Sequence, residues 1–441
     1  MSDFRDFLPT LFDLYRQLTK QKTSVQYQRV RAFGSNHAEV SFQNGRVDAF
    51  HLWDDLAVEL FVSEKKSAKW VFSTETCADF SAISEWNDYV SRRLSTAVLG
   101  NDPRPPFADN PVIEERPAYL LHYDPEIAQM LSPVIFHRIY QTTKNILQKG
   151  FLFDCHVHWS HGGISWMRQP LLFCWVDANA FYFAPQTQID ETITIWHPDY
   201  PLFKRTMISS VYRLSDTMNL ENLCEDLLSV QGTPFYAWNR KNVDHIILMP
   251  GAAAKLLIAF LNECLQSAET FRANAAHLSS FLVLMDTPDA PVFGRSYLVD
   301  ANGHLVKSIL MMQASQAEEI PSSQNGHAAT DESDPLQVYC PMLAAAQADS
   351  EEIELTPQKI SEMMAGRILI VEDIRVVTLG PKETHVLFPK GGVLYREGRC
   401  LGHVAPMTHP MDLYSLLKSA RPIGKPVRIG GLATCALEFA P

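Results

Sequence analysis

Asp244-His-Ile-Ile-Leu-Met249 followed by Pro250-Gly-Ala-Ala-Ala-Lys-Leu-Leu-Ile-Ala-Phe-Leu-Asn-Glu-Cys-Leu-Gln-Ser267 is the stretch whose reading decides the fold. Four consecutive apolar residues between a polar start and a proline predict a short buried strand. Proline then stands where a helix tolerates it, in the first turn. After it, Ala252, Ala253, Leu256, Leu257, Phe260, Leu261 and Leu265 recur at i, i+3, i+4 spacing and predict a helix with one face in the core. A strand leading directly into a buried helix sets a layered α+β architecture rather than an all-β one.

Working outward, 441 residues exceed what one hydrophobic core usually organises, so more than one domain is expected. The sequence divides into an N-terminal α/β domain with a mixed sheet (1–112), a central α+β region (113–240) and a strand-rich C-terminal domain (241–441). Antiparallel sheets around the buried helix are expected in the last. Residues 317–350 hold Ser322-Ser-Gln-Asn-Gly-His327 and Thr330-Asp-Glu-Ser-Asp334, which reads as a mobile insertion. The N-terminus presents an amphipathic helix through Phe4, Phe7, Leu8, Leu11, Leu14, Tyr15 and Leu18. His37–Phe42, Arg46–His51, Leu56–Val62 and Lys69–Ser73 read as strands. Asn44-Gly45 between the first two is a strong two-residue hairpin signal. Helices are expected near 78–98, 125–149 and 219–230, and strands over Phe151–Trp159 and Leu171–Val176. The Pro-rich segment Asn101–Pro111 marks a boundary.

Composition excludes several classes. The longest apolar runs, such as Pro170–Val176, fall far short of the roughly 20 residues that span a bilayer. The N-terminus has acidic residues ahead of any apolar run and is not read as a secretory signal. A net charge of −12 opposes a phosphate backbone, and the basic clusters Lys65-Lys66 with Lys69 and Arg92-Arg93 are short. No nucleic-acid or membrane partner is therefore expected. Eight cysteines without a CxxC pair read as reduced thiols of a cytoplasmic protein.

Motifs for the common chemistries are missing: GxGxxG, the Walker loop, the GxSxG elbow and HExxH do not occur. One histidine cluster does, Cys155-His-Val-His-Trp-Ser-His161. On a strand His156 and His158 share a face while His161 takes the other, so three metal ligands need a bend, which Gly162-Gly163 can supply. Two readings stand, a metal-dependent enzyme using His156, His158 and His161, or a strand whose imidazoles make ordinary hydrogen bonds. The demand for correct ligand count and geometry favours the second. The acid pairs Asp54-Asp55, Glu351-Glu352 and Glu372-Asp373 have no nucleophile or metal motif beside them and read as solvated turns or strand ends.

The order of several short segments carries a family resemblance. Asn44-Gly-Arg-Val47, Leu56–Val62 and Trp70-Val-Phe-Ser-Thr-Glu75, then Asn101-Asp-Pro with Phe107-Ala-Asp109, are similar to the N-terminal half of the TldD/TldE (PmbA, modulator of DNA gyrase) metalloprotease family. Val243–Leu257, Leu284-Met-Asp-Thr-Pro-Asp289, Gly294–Gly303 and the run from Gly366–Val371 to Gly391–Gly398 resemble its C-terminal half. In the catalytic TldD-type subunit the helix carries HExxxH, two zinc ligands and a general base. The resemblance puts Ile258, Ala259 and Glu263 at those three positions, a lapsed zinc site. The family's third ligand is a cysteine near the C-terminus; Cys435 lies in that zone, while an alternative alignment puts Ile423-Gly-Lys425 there.

The resemblance thus implies a TldE-like subunit with no catalytic residues, no metal and no cofactor of its own. It implies a TldD-type zinc protease as partner, and a chamber in which unfolded peptides are cut, as in leader-peptide removal. The inert chain can hold such a peptide by strand addition, and Thr384-His-Val-Leu-Phe388 is a candidate, although its pattern also fits a core strand. A peptide-binding homodimer is a further alternative.

Overall fold

The fold is that of a computed structural model, which describes residues 25–66, 69–71, 124–129, 132–169, 180–198, 204–211, 233–236, 243–288, 308–314, 316–321, 336, 338–346, 356–379, 384–407 and 410–440. The expected N-terminal helix, the helices near 78–98 and 219–230, the Pro-rich segment, the strand over 171–176 and the pair Glu351-Glu352 lie outside these residues.

Two bodies of sheet dominate. The first begins with β1 (Val25–Gln43), β2 (Arg46–Lys66) and β3 (Lys69–Val71). Helices α1 (Pro125–Gln129) and α2 (Ser132–Gln148) follow, then β4 (Leu152–Gln169), β5 (Ala180–Trp196) and β6 (Lys204–Val211). These strands form one six-stranded sheet in the order β3-β2-β1-β4-β5-β6, so it draws on residues to either side of the Pro-rich segment. A mixed sheet was expected here, yet every described pairing is antiparallel. The hairpin explains much of this. Asn44 (φ 50°) and Gly45 (φ 74°) both adopt positive φ, as a two-residue type I′ turn requires, and such a turn reverses the chain directly. Parallel neighbours would need a crossover connection at that point.

Strand alternation gives this sheet two unlike faces. Val40, Phe42, Phe153, Cys155, Val157, Ile189, Ile193 and Ile195 are buried on one, closed by Ile127 of α1 and Ile146 of α2. The segment expected as one helix near 125–149 is thus described as two. The turn Gly45 lies against Leu147 at the end of α2, where Gly150 (φ 86°) ends the helix.

The second body runs β7 (Phe235–Tyr236), β8 (His245–Leu248), α3 (Pro250–Cys264), α4 (Ala268–Ala275), β9 (Leu282–Asp286), β10 (Ile309–Gln313), β11 (Gln316–Ala317), β12 (Pro341–Ala345) and α5 (Pro357–Met363). It continues through β13 (Arg367–Val371), β14 (Ile374–Leu379), β15 (Thr384–Pro389), β16 (Gly392–Arg396), β17 (Arg399–Val404), β18 (Met411–Asp412), α6 (Leu413–Ser419), β19 (Arg421–Ile429) and β20 (Leu432–Phe439). An eleven-stranded sheet takes the order β11-β10-β9-β12-β20-β8-β13-β16-β17-β7, with β19 beside β20. A three-stranded sheet follows the order β14-β15-β18. The α+β class and the strand-rich C-terminal half are as expected. The larger sheet is mixed rather than antiparallel, because β8 pairs β13, β12 pairs β20 and β17 pairs β7 in parallel. The chain leaves β8 through α3 and returns to β13 much later, the kind of crossover a parallel pair needs.

The stretch expected as an insertion contributes to the sheet. Within 317–350 lies β12, paired with β9 on one side and β20 on the other. The Asp286 carboxylate accepts from the backbone N–H groups of Tyr339 (3.1 Å) and Cys340 (2.7 Å) and so fixes the entry to β12. A five-residue strand is lost when composition is averaged over a polar 34-residue window, which is why the segment reads as a loop.

Replacing Gly45 by alanine should cost about 1–2 kcal/mol, since a Cβ there would meet Leu147 Cδ2 at 2.5 Å and an L side chain resists positive φ. Urea unfolding of the Gly45→Ala chain measures it; an unchanged midpoint would deny the turn its role.

Candidate functional site

Helix α3 begins on Pro250 with Met249 as N-cap, and the Met249 N–H donates to Val371 O at 2.9 Å, tying the helix start to the end of β13. Its expected stripe is in place: Ala252, Ala253, Leu256, Leu257 and Phe260 are fully buried, and Leu261 nearly so. Burial goes further than the stripe, because Ala254, Ala259 and Cys264 are also enclosed. Only a narrow strip through Lys255, Ile258 and Asn262 stays open, with Ile258 at 47% exposure.

The three positions of interest have different surroundings. Ile258 points to solvent. Ala259 is 5% exposed, and Glu263 is partly buried. Lys255, Ala259 and Glu263 are spaced i, i+4, i+8, so they follow one row along the flank of α3. The helix as a whole contacts β14. At one end of the row Lys255 Nζ pairs with Asp373, which also accepts from Lys390 Nζ at 2.7 Å. At the other end Glu263 Oε1 lies 3.5 Å from His385 Nε2, and His385 Nδ1 is 3.2 Å from Thr378 Oγ1. Ala259 therefore sits between the Lys255–Asp373 ion pair and the Glu263–His385 contact.

Burial raises the Asp373 carboxyl, but hydrogen bonds and charge from Lys255 and Lys390 outweigh it and hold the group below its ordinary value of 3.8. The acid pair Glu372-Asp373 thus includes a structural anchor. Sequence reading missed the Glu263–His385 contact, although a signal existed. Alternation in Thr384–Phe388 puts His385 on the same face as Leu387, which is 1% exposed in the core that α3 shares. That strand is β15, and it is central in its sheet, paired along its length with β14 and at Val386 and Leu387 with β18. It offers no free edge over those residues for strand addition.

Cys435 of β20 is fully buried in the core around α3, and burial pushes its thiol up to about 12. Ile423 of β19 lies across from Ala436, and its side chain packs on the other core, with Ile247, Ile360 and Ile368. Of the three motif positions on α3, only Glu263 carries a donor atom, and that carboxylate faces His385. One carboxylate on the helix and a thiol enclosed in the apolar core do not make a ligand set, so these residues do not fit a zinc ion.

The histidine strand is β4. It passes through Gly162-Gly163 in unbroken register with β1 and β5, so the bend that three ligands require is not made. His156 and His158 share the face away from the helices. His156 Nδ1 is 3.5 Å from Glu39 Oε1. His158 Nδ1 is 3.8 Å from Asp190 Oδ2, and His158 Nε2 is 2.9 Å from His37 Nδ1. The side chain of His161 lies outside the described residues. Among those described, no group of three His, Cys, Asp or Glu side chains is placed to hold a metal ion.

Two consequences are measurable. Ala259→Glu would bury a carboxylate four residues from Glu263, with an expected loss of about 3 kcal/mol or more, read by chemical denaturation; a neutral effect would mean the flank is open. Asp373 has a folded pKa below its unfolded one, so its stabilisation is present above the unfolded value and fades as pH falls through the folded value. Asp373→Asn should accordingly flatten the acid limb of the stability–pH curve below about pH 4.

No family model and no curated protein matches the chain in sequence. Solved structures do match in shape. The crystal structure of TldE from Thermococcus kodakarensis superposes with a TM-score of 0.71 at 11% identity, covering 98% of each chain. A candidate modulator of a DNA gyrase from Thermotoga maritima gives 0.67 at 12% identity over 99% of each chain. Another from Bacteroides thetaiotaomicron gives 0.64 at 12% identity, over 98% of this chain and 96% of that one. The fold of this chain, along nearly its whole length, is the one shared by TldE and these DNA-gyrase-modulator proteins.

Proposed function

We propose that this chain is a non-catalytic, TldE-like subunit that pairs with a TldD-type zinc metalloprotease. The observation that carries the reading is the state of α3. The resemblance lays HExxxH on this helix, and the three positions it assigns hold an isoleucine, a buried alanine and a carboxylate facing His385. Isoleucine and alanine have no lone pair to give a metal and no group to take a proton from water. The fold likeness to TldE supports the same assignment.

In this reading the catalytic partner supplies zinc and cuts the peptide, while the present chain completes the chamber that admits unfolded substrates, leader-bearing peptides among them. The net charge of −12 disfavours a nucleic-acid role, and no described helix is long and apolar enough to cross a membrane. The described cysteines Cys155, Cys264, Cys340, Cys400 and Cys435 form no disulfide, which suits a reducing cytoplasm.

Co-expression with a TldD-type chain carrying HExxxH tests the proposal. The two should co-elute, and hydrolysis of an unfolded peptide should require both chains and stop on chelation. Failure to co-elute would remove its basis. So would peptide hydrolysis by this chain alone that depends on a stoichiometric metal and disappears in His158→Ala.

A further inference from the structure

On the face of the N-terminal sheet away from the helices, register gathers aromatic side chains from three neighbouring strands. His37 of β1 lies across from Trp53 of β2, and His158 of β4 lies across from Glu39, two residues along β1. The Trp53 indole stacks on His37, with 8° between the planes and 4.8 Å between centroids. It also stacks on His158, at 1° and 5.5 Å. The two imidazoles lie within 7° of parallel, and His37 Nδ1 is 2.9 Å from His158 Nε2, a hydrogen-bond distance.

A bond between two imidazole nitrogens holds one proton, because one nitrogen must donate and the other accept. Two neutral rings carry two protons on four nitrogens, so one proton sits in the bond and one on an outer nitrogen. His158 Nδ1 is such an outer position, 3.8 Å from Asp190 Oδ2, and the Asp190 carboxylate accepts from Gln188 Nε2 at 2.8 and 2.6 Å. A third proton fills the remaining outer position, and the resulting cation keeps its bond, its stack on the indole and its carboxylate neighbour. A fourth must enter the bond itself. Two N–H groups then face each other between two positive rings, and the contact cannot hold. The other described titratable groups on this face are spread along it. Glu39 of β1 is 3.5 Å from His156 of β4 and lies across from His51 of β2. Asp48 is 3.5 Å from Ser41 Oγ, and Asp154 accepts from the Asn44 N–H at 2.9 Å.

We propose that His37, His158 and Trp53 form an acid-opened latch across β2, β1 and β4, shut while the histidine pair carries up to three ring protons and opened by the fourth. Starting from the neutral pair, the closed latch takes up one proton. Opened, the same two rings take up two. An ordinary imidazole titrates near about pH 6.5, so the closed state keeps its full advantage above that value and loses it as pH falls below. For a difference of one proton the opening equilibrium grows about tenfold per pH unit. The latch is remote from α3 and independent of any catalytic partner.

Hydrogen–deuterium exchange on the full chain tests it between about pH 7 and 5, followed in peptides from β1 and β4 and corrected for the intrinsic pH dependence of exchange. Opening in the wild type should steepen below about pH 6 towards tenfold per unit. His158→Gln keeps an acceptor for His37 Nδ1 but takes no proton, so His37 can charge without a second proton entering the bond. Its opening should be flatter by about that factor, and His37→Gln should act likewise from the other side. Nitrogen-15 NMR of the histidine rings in the wild type needs no variant: the two rings should titrate as one coupled unit in two separated steps. Equal slopes in the wild type and His158→Gln overturn the proposal, as do two rings that titrate independently.

Discussion

Everything in the C-terminal half is arranged around the enclosure of α3. Ten of its fifteen residues are buried, and a helix of that composition is stable only where apolar surface meets it on nearly every side. The eleven-stranded sheet supplies one wall through Ile246, Leu248, Leu284, Leu343, Leu369, Cys435 and Leu437, and α4, α6 and the three-stranded sheet contribute Phe271, Leu413, Leu417, Ile374 and Leu387. Each fully buried Leu or Phe is worth about 1.5–3 kcal/mol, so the position of the helix is over-determined by packing. Its polar side chains are left to adapt, Lys255 by pairing with Asp373 just ahead of β14 and Glu263 by meeting His385 of β15.

The N-terminal sheet answers a different constraint. Its strands are long, and a long antiparallel sheet with helices on one side buries one face and leaves the other wet. On the wet face the polar residues of β1, β4 and β5 satisfy one another: His37 with His158, His156 with Glu39, and His158 with Asp190, while Trp53 stacks on His37 and on His158. The clustering of histidines in the sequence is thus explained by register. His156 and His158 are two residues apart on β4, and His37 reaches them from the neighbouring strand.

Local signals were legible where the physics is local. Asn44-Gly45 named its turn, and the strip from His245 to Cys264 named its strand and helix, because apolar period and turn chemistry are written in adjacent residues. The split between Arg46–His51 and Leu56–Val62 was not real, since polar Asp54-Asp55 interrupts the pattern without ending β2. Strand direction was the least accessible property. The parallel pairs β8 with β13 and β12 with β20 join residues about a hundred apart, and nothing in either segment alone records its neighbour. The same holds for the anchors of α3. Lys255 meets Asp373, and Glu263 meets His385, only once β14 and β15 are laid against the helix.

Those anchors bear on why a helix with no metal-binding donors at Ile258 and Ala259 is kept at all. Removing α3 would open the core shared by both sheets, whereas changing the exposed Ile258 costs little, so packing holds the buried positions, Ala259 among them, and leaves Lys255, Ile258 and Glu263 to respond to other demands. The alanine at 259 is buried, and the glutamate at 263 meets His385. The result is a flank with an ion pair at one end, a glutamate–histidine contact at the other and a small buried side chain between them.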